Sequence, residues 1–331
     1  MTEPEQQCDA GILLINLGTP DSPSRGDVKR YLREFLWDPR VVEMPRVLWW
    51  PILHGAILNI RPARSAKAYR KIWTEEGSPL LTNTVKQAKA LQQKLGSRIA
   101  VVPAMRYGNP SIRQGLEQLR DQGCQRILVF PLYPQYSATT TASAFDAVVT
   151  ELKNWRLLPE LRLLNQYFDD PGYIQTLAGS VKDFQEQHGQ PDTLVLSYHG
   201  LPQRYADAGD PYPHQCEETT NALISALNLN SAQWRHCYQS RMGREPWLQP
   251  ATADTLRELA NAGCKHVQVI CPGFSSDCLE TLEEIAMENK EVFLQAGGER
   301  YEYIPCLNDT RAHIDMLARL AMRYLGGWIN E

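Results

Sequence analysis

The sequence predicts two α/β domains, each a four-stranded parallel sheet flanked by helices. Three observations carry that expectation. Short apolar runs recur along the chain, each followed by a turn and then an amphipathic stretch. Runs such as LVLS (194–197) and VQVIC (267–271) are almost unbroken in their apolar character, which suits strands covered on both faces. The length of 331 residues exceeds what one hydrophobic core comfortably holds, so two domains are expected.

The strands follow in order. GILLINLG (11–18), IAVVPAMRYG (99–108), RILVFPLYP (126–134) and LRLLNQYF (161–168) belong to a first domain, residues 1–168. TLVLSYHG (193–200), WRHCYQS (234–240), HVQVICPG (266–273) and YEYIPCLN (301–308) belong to a second, residues 169–331. The boundary falls at the turn-rich Asp169-Asp170-Pro171-Gly172. A last helix, about 310–325, is placed to cross back onto the first domain. The halves look alike only in their alternation of strand and helix, and no low-complexity tract or short-period repeat interrupts them.

Composition narrows the function classes. A net charge of −4 gives no general attraction to nucleic acid. MTEPEQQCDAG at the start has neither the basic region nor the apolar core of a secretory signal, so a cytoplasmic location is expected. The eight cysteines show no CxxC and no compact framework, and are read as reduced thiols. VLWWPILHGAIL (47–58) is too short to span a bilayer and carries Pro51 and His54; it suits a surface that touches lipid or an apolar ligand.

In a parallel sheet, ligands bind outside the carboxyl ends of the strands. Polar and unusual residues collect there in this chain: Arg106-Tyr107-Gly108, Tyr133 to Ser137, His199-Gly200, Gln239-Ser240-Arg241 and the acids after Pro272-Gly273. A helix beginning at Ser276 or Asp277 stacks Asp277, Glu280 and Glu284 on one face, because three- and four-residue spacings lie one above another. Acids early in a helix also simply favour its dipole. His199, at a strand end in the same half, tips the balance. One imidazole beside several carboxylates suits a loosely held divalent cation or a proton relay, not a structural zinc site with four close-set ligands. HExxH, HxxEH, the P-loop and a GxGxxG after the first strand are absent.

INLGTPDSP, GSPL, PLYPQYSATTT, LSYHGLPQRYADAGDPY, SRMGREPWLQP, CPGFSSDCLETLEEI and YEYIPCLND resemble the ferrochelatase family in order and spacing, from residue 11 to about 315. The resemblance implies the chelatase fold, two Rossmann-like domains with a macrocycle in the cleft between them. It implies a lyase that inserts ferrous iron, as substrate, into protoporphyrin IX to give protohaem, the last step of haem biosynthesis. His199 matches the family's SYHG histidine and Glu280 the acid of CLETL, both catalytic and both candidate metal ligands. Asp277 and Glu284 match further members of an acidic row that relays protons or metal.

The resemblance further matches Arg61, Tyr69 and Ser78 to propionate contacts, and Leu17 to an apolar position beneath the ring. Arg106, Tyr133, Tyr136 and Trp247 lie in matching motifs and are read as porphyrin contacts or packing residues. Residues 41–60, with Trp49 and Trp50, resemble a lip over the porphyrin that also suits peripheral membrane contact; a buried helix is the plainer reading. Cys278 stands where some relatives have histidine, so the resemblance gives that side chain no ligand role; some relatives bind a 2Fe-2S cluster through cysteines near the C-terminus, and no cysteine follows Cys306, so no iron–sulfur cluster is expected. A cobalt or nickel chelatase for another tetrapyrrole and a non-catalytic porphyrin carrier are the rival readings.

Overall fold

The computed structural model describes residues 8–241, 243 and 245–329. Its strands are β1 (Ala10–Thr19), β2 (Ile99–Gly108), β3 (Arg126–Pro131), β4 (Glu160–Leu163), β5 (Thr193–His199), β6 (Trp234–Gln239), β7 (His266–Ile270) and β8 (Arg300–Tyr303). One sheet has the order β2-β1-β3-β4 and the other β6-β5-β7-β8, with every neighbouring pair parallel. All eight expected strands exist; β3, β4, β7 and β8 end earlier than their apolar runs, and Pro134, Pro272 and Pro305 lie just beyond β3, β7 and β8.

The first compact unit runs to Tyr133, includes Ala138–Asn165 and takes up the chain again from Asp309. The second comprises Pro134–Ser137 and Gln166–Asn308. In the first unit the final helix, Arg311–Leu325, packs on the helix Pro79–Leu95 and on β3, with Lys94 and Asp315 paired at 2.7 Å. Beyond it, the Trp328 carbonyl accepts from Arg126 (2.6 Å), and the Trp328 indole donates to Glu160 (2.7 Å).

Each sheet is buried by helices on both faces. Leu13, Val129 and Leu116 meet in the first core, and Val195, Val269 and Leu256 in the second. The helix Ile112–Asp121 starts with a reciprocal cap: the Gln114 amide donates to Ser111 Oγ, and the Ser111 amide donates to Gln114 Oε1.

The two units match far more closely than alternation alone suggested. Val102, Leu13, Val129 and Leu163 form one row across the first sheet, and Arg235, Val195, Val269 and Tyr303 form the same row across the second. On this register Leu17, two residues before the end of β1, is equivalent to His199 at the end of β5. Gly123-Cys124 and Gly263-Cys264 also correspond, each following a helix at the same offset, with the cysteine amides bonded back to Leu119 and Leu259.

One sequence expectation is corrected here. Cys8 and Cys124 are joined by a disulfide, with Cα atoms 5.1 Å apart, so the eight cysteines are not all reduced thiols. The reason lies in the register. Gly11 pairs with Ile127, so the residues three positions earlier on each chain segment come alongside one another, although 116 residues separate them in sequence. The other six thiols are free, and all but Cys264 are buried.

At the start of β7 and β8, Glu302 collects four donors. Gln268 (3.0 Å), Arg300 (2.7 Å), His266 (2.8 Å) and His188 (3.0 Å) all reach its carboxylate. Burial alone raises this carboxyl, but the hydrogen bonds outweigh it and hold the group at about 2.

Candidate active site

β5 is buried along its length until His199, which is half-exposed at the carboxyl end. The strand can end this closely against β6 because residue 200 is glycine. A Cβ there would stand 2.8 Å from the Gln239 carbonyl and 3.3 Å from the Trp247 ring. His199 Nδ1 lies 2.7 Å from the Gly200 carbonyl oxygen, which can only accept. The imidazole therefore carries its proton on Nδ1, and the Nε2 lone pair is left for a proton or a metal ion.

The acids after β7 adopt an arrangement that the sequence did not foretell. Glu280–Asn289 coil as a π-helix, wider than an α-helix, and Asp277 precedes it. The expected row of three is corrected to a pair plus an anchor. Asp277 is buried and faces other partners: it accepts from Tyr303 Oη (2.6 Å), Asn308 Nδ2 (2.7 Å) and Thr281 Oγ1 (3.2 Å), while its own amide donates to Asn308 Oδ1 (2.8 Å).

Glu280 and Glu284 remain half-exposed. Glu284 accepts from the Ser240 amide (2.6 Å) and from the Ser240 hydroxyl. Burial pushes its carboxyl above the usual range, while the Ser240 bonds and the nearby His199 draw it back part of the way. The Glu280 backbone carbonyl accepts from Gln239 Nε2 at 3.1 Å. Cys278 is buried and its thiol pushed well up by burial, so it stays neutral. Among the described residues, no group of three or more His, Cys, Asp or Glu side chains is placed to hold a metal ion.

The residues matched to porphyrin contacts fall mostly in the first unit. Leu17 is half-buried near the end of β1. Arg61 is exposed on the helix Leu58–Ile72, and Tyr69, on the same helix, is buried edge-on against Tyr31 and Trp73. Ser78 is buried and accepts from Thr19 Oγ1 (2.8 Å) just before the helix Pro79–Leu95. Arg106 is engaged within the fold: it pairs with buried Asp38, donates to the Ser143 carbonyl (2.9 Å) and hydroxyl (2.7 Å), and lies over the Tyr107 ring. Tyr133 is buried.

In the second unit, the Tyr136 amide donates to Gln215 Oε1 (2.7 Å), and Trp247 is buried against Gly200. The lip segment divides its two tryptophans. Trp49 is 7% exposed and donates from its indole to the Leu36 carbonyl (2.7 Å), whereas Trp50 is 57% exposed beside Val47 at 85%. The roles of Gln239, Asp38, Tyr303 and Asn308 went unread in the sequence. Gln239 carried a signal in its place at a strand end, and Tyr303 and Asn308 in lying within YEYIPCLND.

A family model described as ferrochelatase matches residues 9–325. The chain belongs to the ferrochelatase family. Ferrochelatase of Teredinibacter turnerae is 54% identical over 327 residues, covering 98% of this chain and 89% of the relative. Ferrochelatase of Cronobacter sakazakii is 52% identical, covering 96% and 99%, and that of Methylococcus capsulatus 54% identical, covering 95% and 96%. As a ferrochelatase-family member, the protein is a metal chelatase, a protohaem ferro-lyase.

Two solved structures share its fold. SirB from Bacillus subtilis with Fe3+ matches with a TM-score of 0.54 at 14% identity, covering 75% of this chain and 92% of that one. CbiX, described as the terminal enzyme for biosynthesis of sirohaem in denitrifying bacteria, matches with a TM-score of 0.51 at 14% identity, covering 96% and 99%. At that identity the likeness speaks for the two-domain chelatase fold alone.

Proposed function

We propose that His199, Glu280 and Glu284 carry out the reaction that family membership assigns to this chain, insertion of ferrous iron into protoporphyrin IX to give protohaem. The observation that supports these roles is the His199 tautomer: Nδ1 is committed to the Gly200 carbonyl and Nε2 bears the lone pair. Free porphyrin carries two pyrrole N–H groups. One Fe2+ enters and two protons leave, so charge balances without any change of oxidation state. His199 Nε2 takes up a pyrrole proton or stands beside the incoming ion. Glu284, whose carboxyl is raised by burial, accepts protons more readily than a solvated glutamate and passes them outward with Glu280.

Asp277 takes a supporting part in this reading, because its oxygens are already committed to Tyr303, Asn308 and Thr281. Among the matched porphyrin residues, exposed Arg61 has the fork that suits a propionate. Leu17, Tyr69, Ser78, Tyr133, Tyr136 and Trp247 contribute shape around the ring, and Arg106 contributes by holding Asp38 and Ser143. Binding energy gained over the ring can bend the macrocycle and turn its nitrogen lone pairs toward the metal. The lip, through Val47, Leu48 and Trp50, is the part suited to touch a membrane surface.

The test is anaerobic. Purified protein, protoporphyrin IX and ferrous iron are followed by absorbance, with His199→Ala and Glu280→Gln alongside. Haem formation by the wild type and a loss of about 100-fold or more in both variants, with porphyrin binding retained, is the expected result. Porphyrin binding without metal insertion by the wild type would leave a carrier in its place.

A further inference from the structure

The last residue of β6 and the residue after it do work that neither the chemistry above nor the family match assigns to them. Gln239 stands in register with His199, one strand over, and is 3% exposed. Every polar group of Gln239 described here is engaged. Its carbonyl accepts the Gly200 amide (2.8 Å), which ties the His199–Gly200 peptide to β6, one peptide before the carbonyl that His199 Nδ1 meets. Its Oε1 accepts from Ser197 Oγ on β5 (2.9 Å) and from Cys271 Sγ beyond β7 (3.6 Å), and its Nε2 donates to the Glu280 carbonyl (3.1 Å). A carboxamide alone among side chains of this length offers a donor and an acceptor at one tip.

Ser240 follows with φ at +68°, a left-handed backbone that a residue other than glycine seldom adopts. The consequence of that turn is that its amide and its hydroxyl both meet Glu284, one at each carboxylate oxygen. Further along, Asn289 Nδ2 caps the Glu284 carbonyl (2.8 Å) and Tyr301 Oη the Ile285 carbonyl (2.6 Å), so side chains brace the π-helix at successive points. A π-helix of this length is uncommon and depends on such support.

We propose that Gln239 and Ser240 are positioning residues for iron insertion: Gln239 fixes the backbone at Glu280, and Ser240 fixes the carboxylate of Glu284. Neither touches substrate. Their contribution is to keep the two acids and the imidazole in one mutual arrangement through the reaction. The proposal rests on the roles given above to His199, Glu280 and Glu284, and its test separates the two.

The experiment uses the full chain with ferrous iron and protoporphyrin IX, comparing Gln239→Met, Gln239→Glu, Ser240→Ala and Ser240→Gly with wild type. Gln239→Glu keeps an acceptor toward Ser197 and, when ionised, replaces the donor toward the Glu280 carbonyl by a buried negative oxygen; it stands in if Gln239→Met does not fold. Ser240→Gly relaxes the backbone while removing the hydroxyl, so strain and hydrogen bonding are told apart. The expected result is a fall in kcat of about tenfold or more for variants of both residues, with KM for porphyrin within about twofold of wild type.

A kcat within about twofold of wild type for the folded variants of either residue overturns the assignment for that residue, as does a rise in KM with kcat unchanged. If the wild type forms no haem, the underlying reading fails instead. If the wild type is active and His199→Ala is not, only the positioning proposal is at stake.

Discussion

At the scale of single residues, the structure separates groups that the sequence treated alike. Asp277 and Glu284 both matched one acidic row, yet Asp277 is a buried node and Glu284 a half-exposed carboxylate with a raised pKa. Asp277→Asn removes an acceptor from among Tyr303, Asn308 and Thr281 and is expected to cost roughly 1–3 kcal/mol, read as a lower thermal midpoint. Gly200→Ala forces a Cβ against the Gln239 carbonyl and the Trp247 ring, with an expected cost of about 1–3 kcal/mol in denaturant unfolding. The placement of His199 at the end of β5 and of Glu280 beyond β7 was legible because short motifs and the strand-end rule both pointed there. Gln239 was marked only by its place at a strand end, because its role lies in hydrogen bonds to three other segments, and those contacts leave no mark in local sequence.

Among the elements, the strands were the most legible and the helix after β7 the least. Unbroken apolar runs give strands directly, but a period of three to four residues does not distinguish an α-helix from the wider coil of Glu280–Asn289. The lip shows the same limit. Trp49 and Trp50 are neighbours in sequence, and only the helix Arg46–Ile52 decides that one is an anchor and the other exposed. In liposome flotation, Trp50→Ser with Val47→Ser is expected to weaken any vesicle binding by about tenfold or more, from the apolar area those side chains lose. Trp49→Ser is expected instead to lower the thermal midpoint, because it empties a buried site and leaves the Leu36 carbonyl without its donor.

For the molecule as a whole, acid and reductant are the two conditions that should reveal its supports. Glu302 has its carboxyl depressed to about 2 from an ordinary 4.5. A depressed carboxyl stabilises the fold above its unfolded value, and that contribution disappears as pH falls from about 4.5 toward 2. Wild type is expected to lose on the order of 2 kcal/mol over that window that Glu302→Gln does not lose, measured by denaturant unfolding at each pH. Reductant is expected to lower stability by roughly 2–4 kcal/mol through the Cys8–Cys124 link, and to have no such effect on Cys8→Ser.

The disulfide escaped sequence reading because its partners are distant in the chain and meet only through the pairing of β1 with β3. The likeness of the two units escaped for a related reason: only a few identities, such as Gly123-Cys124 with Gly263-Cys264, survive at the shared offset, too sparse to see until the registers are known.

That matching register makes the two units structural counterparts of one another, position by position along their sheets. Leu17 holds in one unit the place that His199 holds in the other, and by the offset of β3 and β7 Thr140 holds the place of Glu280. A substitution at one of these matched positions therefore has a structural counterpart in the other unit, a paired control within the same polypeptide.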